Sequence, residues 1–289
     1  MEVSVIIPTF NSAQFLTAAV DSVLAQTFKD FEIIVVDDGS VDNTEEVLKK
    51  YGDSIRYIKQ KNQGVSIARN NGINLSNAKY VSFLDADDTW LPLKLERQMK
   101  ALASQPEYRL CFTNFIPVDA DMKPFDKFRL YPQGTALEDL LLRGNLIGSI
   151  CTVVCERTLF DEIGGFDPEF SQCADWDMWV RLATKTEFLF VDEKLVTYRH
   201  HNTNMSRNAR LLEDDSTRVL EKGFAMTDTP IELKKKRKES LARNYMVLAG
   251  SYYRAGQKKD FLRCAMRSVT LNFKEMGYLL RFPIRARRK

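Results

Sequence analysis

Between residues 3 and 113, short apolar runs alternate with amphipathic stretches, and few folds accept that pattern. Residues 3–7 are continuously apolar except for Ser4 and end at Pro8. Residues 13–26 carry Phe15, Leu16, Ala19, Val20, Val23 and Leu24 on one helical face, with Asn11 or Ser12 as cap. The alternation continues with strands at 31–36, 55–58, 80–84 and 110–113 and helices at 42–51, 66–75 and 91–104. Strands interleaved with helices build βαβ units around a mainly parallel sheet. Strands that are apolar along nearly their whole length imply helices on both faces. A chain of 289 residues, 44% of them apolar, can fill one such core and carry an appendage.

The second half is less regular. Residues 114–160 include a polar and aromatic stretch, 119–135, read as part of an acceptor region because a long loop in a compact domain is often functional. Helices are expected at 137–143, 156–163 (stopped by Gly164 and Gly165) and 175–184, with strands at 188–191 and 196–199. Beyond Asn208 the pattern is wholly helical: 211–226, 231–255 after the Pro230 break, and 258–271. The chain therefore divides into an α/β domain, 1–207, and a helical, basic extension, 208–289. From Ile231 onward there are 17 Lys/Arg against 4 Asp/Glu, whereas residues 1–230 hold 25 against 35. The basic clusters at 234–238 and 281–289, the latter beside Leu279, Leu280, Phe282 and Ile284, suit either an anionic membrane surface or a solvated helix face with a frayed end. No recognition motif accompanies the charge, so nucleic acid is not an expected partner. Five cysteines at irregular spacing read as thiols in a reducing compartment. No basic residue precedes the first apolar run, and no stretch approaches the roughly 18 apolar residues of a membrane span. The expected location is cytoplasmic, soluble or peripheral on the inner face of the plasma membrane.

In open α/β sheets ligands bind beyond the carboxyl ends of the strands, and the polar motifs fall there: Pro8, Thr9, Phe10 and Asn11 after the first strand, Asp37-Asp38-Gly39-Ser40 after the second, Asp85-Ala86-Asp87-Asp88 after the fourth. Alternation along an extended backbone puts Asp85 and Asp87 on one side, an oxygen pair suited to Mg²⁺ or Mn²⁺. An acidic turn capping the next helix accounts for the same residues. Asp38 suits a base edge or ribose, or an Asx turn. A helix starting near Ser66 aims free N–H groups at an anion; Arg69, one turn in, suits phosphate, a site carboxylate, or plain solvent. Asp175 and Trp179, four apart, share a helical face, either as a general base beside an aromatic sugar platform or as a helix cap above the core. His200 and His201 are the only histidines and follow a strand, where one could complete a metal site.

These stretches in this order resemble the family-2 inverting glycosyltransferases of GT-A fold. The resemblance rests on Val5-Ile6-Ile7-Pro8-Thr9-Phe10-Asn11, Val36-Asp37-Asp38-Gly39-Ser40, Asn70-Asn71-Gly72, Phe83-Leu84-Asp85-Ala86-Asp87-Asp88, Gly164-Gly165-Phe166-Asp167 and Asp175-Trp176-Asp177, and spans roughly residues 1–207. It implies a Rossmann-like sheet that binds a nucleotide-sugar donor, a UDP-hexose being the commoner case. Pro8, Thr9, Phe10, Asn11 and Asp38 would hold base and ribose, Arg69, Asp85 and Ala86 the donor's diphosphate side, and Asp85 and Asp87 an Mn²⁺ or Mg²⁺ ion. Asp175 matches the family's general base, with Ala174 where an acidic residue is usual. His201, within Tyr198-Arg199-His200-His201 and followed by Asn204 and Ser206, matches the family's histidine and is a third candidate metal ligand. The implied acceptor is a saccharide or lipid-linked saccharide, in cell-surface polysaccharide or glycolipid assembly. A nucleotidyltransferase would need a Gly- and Lys-rich phosphate loop that residues 8–12 lack, and a dehydrogenase a Gly-x-Gly-x-x-Gly after the first strand. A degenerate sugar-nucleotide-binding module would not need Asp85, Asp87 and Asp175 together.

Overall fold

The computed structural model describes residues 1–125, 137–201 and 208–280. Residues 126–136 of the polar stretch, Asn204 and Ser206, and the terminal basic cluster 281–289 lie outside them. The sheet is built outward from β1 (Val3–Thr9), which is buried along its whole length. It pairs in parallel with β2 (Phe31–Asp37) and β4 (Tyr80–Phe83), and β3 (Arg56–Lys59) extends β2, also in parallel. The parallel register lines up Thr9 with Asp37, so the polar motifs at the strand ends come side by side.

Helices α1 (Ala13–Leu24), α2 (Thr44–Leu48) and α3 (Val65–Leu75) connect these strands. Helix α1 buries Leu16, Ala19, Val20 and Val23, the stripe expected from its spacing. Helix α3 lies so close to β1 that a Cβ on Gly72 would stand 2.4 Å from Ile6 Cγ2. Only glycine lets the helix approach there. Its neighbour Asn70 clasps a distant loop: the side chain accepts from Phe166 N at 2.7 Å and donates to Phe166 O at 2.8 Å. Gly165 carries the matching constraint, a positive φ of 73° and no room for a Cβ beside Asn70 Oδ1.

The second half of the sheet changes direction. A short β5 (Thr89–Trp90) and helix α4 (Lys94–Ser104) lead to β6 (Leu110–Val118). Helix α5 (Leu137–Arg143) is followed by β7 (Val153–Glu156), which inserts antiparallel between β4 and β6. The spacing had placed Glu156 in a helix; it pairs with Tyr80 at the end of β7, and helix α6 (Thr158–Ile163) begins two residues later. Helix α7 (Ala174–Leu182) precedes β8 (Phe188–Arg199), one irregular strand where two were expected, parallel to β6 and antiparallel to β5. The order is β3-β2-β1-β4-β7-β6-β8-β5.

Helices α8 (Ala209–Ala225), α9 (Ile231–Lys235), α10 (Arg237–Arg254) and α11 (Lys258–Leu271) complete the described chain. The expected single helix over 231–255 is divided at Lys236. Val219, Leu220 and Phe224 of α8 and Leu241 of α10 join the same apolar core as the sheet. Farther along, α10 and α11 share a smaller cluster around Tyr245, Leu248, Tyr252 and Cys264. Glu213 ties it to α8, accepting from both Arg263 amino groups at 2.6 Å and from the Tyr252 hydroxyl at 2.6 Å. Among the described residues no helix is long and apolar enough to cross a membrane. All five cysteines are free and buried.

Candidate active site

A cleft of about 890 Å³ opens over the carboxyl ends of β1, β2 and β4. Pro8, Thr9, Phe10, Asn11, Asp38, Arg69, Asp85, Ala86, Asp87, Asp175 and His201, the full set of candidate site residues, all line it. They arise from six separated segments, and the topology alone brings them together.

At the β1–β2 end, Asn11 sits at a positive φ of 49° and is clamped to the Asp-Asp-Gly-Ser turn, its N–H donating to Ser40 Oγ and its Oδ1 accepting from Val41 N. Asp37 is turned inward, accepting from Ser40 N and the Tyr57 hydroxyl. Asp38 faces the cleft. Its carboxylate accepts from the backbone N–H groups of Gln63 and Gly64 and from Gln60 Nε2, each at 2.8 Å. Those bonds hold it at the mouth of α3 as an oriented acceptor.

The Asp85–Asp88 turn closes on itself through Asp88 N donating to Asp85 O. Cys151 braces it from beneath: its sulfur accepts from Asp85 N and donates to Asp88 Oδ2, both at 3.2 Å. Asp88 also accepts from Arg199 N at 2.9 Å. Burial and the neighbouring carboxylates push both Asp88 and the Cys151 thiol well up. Ligand atoms of Asp85, Asp88 and Cys151 lie within 4.8 Å of one another. Even so, a protonated thiol and a carboxyl already engaged by Cys151 and Arg199 make a brace rather than a hard-cation site.

The outward-facing members are differently placed. Arg69 NH2 donates to Asp85 Oδ1 at 2.7 Å, and its Nε, buried, has no protein partner. Asp87 Oδ2 meets His201 Nε2 at 2.8 Å. Burial, then the charge of Asp85, raises the Asp87 carboxyl, opposed by His201. The His201 ring stacks on Phe15 at 5.0 Å, and the Arg199 guanidinium covers the same ring at 4.9 Å while its Nε holds Asp87 O. Asp85, Asp87 and His201 all line the cleft, and their oxygen and imidazole donors are of the kinds a divalent cation such as Mn²⁺ accepts.

Asp175 enters at the first turn of α7. Its Oδ2 accepts from Asn145 Nδ2 at 2.9 Å and its Oδ1 from Trp176 N at 2.7 Å. Burial pushes the carboxyl up, against the positive charge of Arg69 and the Asn145 bond. Trp179 does not serve as a sugar platform. It is fully buried in the core, because α7 is packed in on nearly every side. Phe10, Phe15 and Tyr198 are the aromatic rings that line the cleft. Asn145 was not singled out from sequence. It lies in the irregular stretch after α5, and only its placement beside Asp175 gives it a role. Phe15 was read as part of the buried face of α1 and lies instead at its edge, under His201.

A mixed sheet whose parallel half opens at its strand ends into a carboxylate-lined cleft is the GT-A architecture, which solved glycosyltransferases share. The sequence profile described as "Glycosyl transferase family 2" matches residues 4–164, and the chain belongs to that family. "Uncharacterized glycosyltransferase RP339" of Rickettsia prowazekii is 34% identical over 214 residues, covering 72% of this chain and 66% of its own. The chain spans only 31% to 35% of the length of three further rickettsial relatives. "Putative teichuronic acid biosynthesis glycosyltransferase TuaG" of Bacillus subtilis is 32% identical over 212 residues, 71% of this chain and 82% of that one. Two solved structures share the fold. S. aureus TarS 1-349 in complex with UDP-GlcNAc superposes with a TM-score of 0.63 at 15% identity, covering 92% of this chain and 91% of that one. The mannosyltransferase PcManGT of Pyrobaculum calidifontis, in complex with GDP-Man and Mn²⁺, gives 0.64 at 15% identity over 99% and 82%.

Proposed function

We propose that the chain transfers a hexose from a nucleoside-diphosphate sugar, a UDP-hexose first among candidates, to an acceptor hydroxyl with inversion at the sugar carbon. The observation that carries this reading is the convergence on one cleft of Asp38, the Arg69–Asp85 pair, Asp87 and Asp175. Asp38 and the residues Pro8, Thr9, Phe10 and Asn11 orient base and ribose. Arg69 and the N–H groups at the start of α3 face the diphosphate. Asp85, Asp87 and His201 would hold Mn²⁺ or Mg²⁺, which when bound neutralises charge growing on the departing nucleoside diphosphate. Asp175 takes the acceptor proton as the hydroxyl oxygen bonds to C1. The bond from C1 to the phosphate oxygen breaks on the opposite side and its electron pair leaves with the nucleoside diphosphate. Asn145 fixes the oxygen that receives the proton.

The named biosynthetic relative and the nucleotide sugars in the two structural neighbours support a place in cell-surface polysaccharide or glycolipid assembly. Exposed Leu262, Met266 and Phe273 beside Arg267 and Lys274 offer an anionic bilayer both apolar contact and charge. The catalytic reading is tested with Asp175→Asn. Donor affinity stays within a few-fold of wild type while transfer falls by at least about a hundredfold. Transfer at the wild-type rate overturns the assignment of Asp175.

A further inference from the structure

A second cavity, of about 290 Å³, is also lined by Asp175. It shares Asn145, Gln172, Asp175 and Leu212 with the main cleft, so the two meet at the carboxylate. None of Pro8, Thr9, Phe10, Asn11, Asp38, Arg69, Asp85, Ala86, Asp87 or His201 lines it. Its walls come from elsewhere: Leu212, Ser216 and Leu220 at helical spacing on α8, and Ser240, Arg243, Asn244, Val247 and Leu248 at helical spacing on α10. Trp176 and Leu142 close it from α7 and α5. The walls are fixed. Asn244 Nδ2 donates to Ser216 Oγ at 3.1 Å, and Ser240 Oγ donates to Leu141 O. Asp215 Oδ2 holds the turn ahead of α7 by accepting from the backbone N–H groups of Ser171, Gln172 and Cys173. Among the described residues, neither a hydrogen bond nor an ion pair engages the Arg243 guanidinium, which stands exposed at this cavity's edge.

Accordingly, we infer that this cavity is the acceptor subsite, and that it selects a saccharide carrying an anionic group, a carboxylate or a phosphate, which pairs with Arg243. The inference rests on the glycosyl-transfer reading. A base shared by two compartments, one lined by the nucleotide-facing residues, leaves the other for the molecule whose proton it takes. In-line displacement seats the acceptor apart from the leaving diphosphate, and none of the residues that face the diphosphate lines the second cavity. A mostly apolar wall with an aromatic edge fits the C–H face of a sugar ring. One unengaged guanidinium beside it pairs naturally with a single anion. The volume is at the small end for ligand pockets and suits about one ring. Helices α8 and α10 lie beyond residue 164, where the family match ends, so this selectivity would belong to the chain's own C-terminal helices.

Saturation-transfer NMR on the full chain with Mn²⁺ and UDP tests it, using methyl glucuronide, glucose 6-phosphate and methyl glucoside as probes. UDP affinity is measured on the same samples. The wild type should bind at least one acidic probe more tightly than the neutral glycoside. The two acidic arms tell carboxylate from phosphate. Arg243→Gln should weaken that acidic probe at least about tenfold, and Val247→Trp, which fills the cavity from a largely exposed position, should weaken all probes. UDP affinity should not move in either variant. Indifference to charge in the wild type, or unchanged acidic-probe binding in both variants, overturns the inference while bound UDP leaves the glycosyl-transfer reading standing. Failure of the wild type to bind UDP counts against that parent reading instead.

Discussion

Asp175 illustrates how one side chain is tuned by its neighbours. Burial raises its carboxyl above the ordinary 3.8, and the Asn145 bond and the Arg69 charge pull it back by favouring the ionised form. A base must be ionised to act. Transfer is therefore expected to fall as pH drops through a value above that of a free aspartate, and Asn145→Ala should move this acid limb to higher pH. A pH profile of kcat/KM for wild type and Asn145→Ala checks it, and a limb that stays put or moves down contradicts the assignment. Lys94 offers a separate test on stability. It is fully buried, with its Nζ 3.8 Å from the Trp90 ring centroid and donating to Ser82 Oγ, and burial pushes it down to about 7 from 10.5. The folded state thus prefers the neutral amine, while the unfolded chain stays protonated up to the higher value. Stability should rise between about pH 7 and 10.5, by up to about 1.4 kcal/mol per unit from this residue. Lys94→Met should flatten that rise, as denaturant titrations at several pH values would reveal.

Among the elements, the first strands and helices were legible because their signals are local. Helix α1 shows its stripe, and β1 and β2 are apolar along nearly their whole length. Strand β7 was not legible. Its four residues sit in the antiparallel slot between β4 and β6, and that pairing is decided by strands far away in sequence. The break at Lys236 was hidden for a similar reason: residues 231–255 keep helical propensity throughout, and only tertiary packing separates α9 from α10. The acidic motifs could be read from sequence, but the braces behind them could not, since Cys151 and Asn145 show no pattern until the fold sets them beside Asp85 and Asp175. Close packing of α3 on β1 gives a prediction at this level. Gly72→Ala forces a methyl against Ile6 and should cost about 1–3 kcal/mol in a denaturant titration. Because β1 itself carries Pro8 and Thr9 into the cleft, donor affinity should fall with it. A neutral substitution would show that the helix can slide away.

The whole molecule joins an acidic α/β body to a basic helical end, and the two are not loosely tethered. Helix α8 supplies Val219, Leu220 and Phe224 to the main core, and α10 contributes Leu241. Removing everything after residue 207 should therefore yield a chain that fails to unfold cooperatively, as calorimetry would show. The charge asymmetry acts at longer range. The full chain should co-float with anionic vesicles at low salt and be released as salt rises, and a chain ending at residue 280 should co-float less because it loses five of its basic residues. Equal flotation of both would place the membrane contact elsewhere.

The central claim is that a single base, acting across the cleft from the nucleoside diphosphate, drives a direct displacement. Real-time proton NMR of the first-formed product, glycoside or newly released sugar before it mutarotates, reads the outcome at the reacting carbon. The expected product is the anomer opposite to that of the donor. A product that keeps the donor's configuration would contradict it.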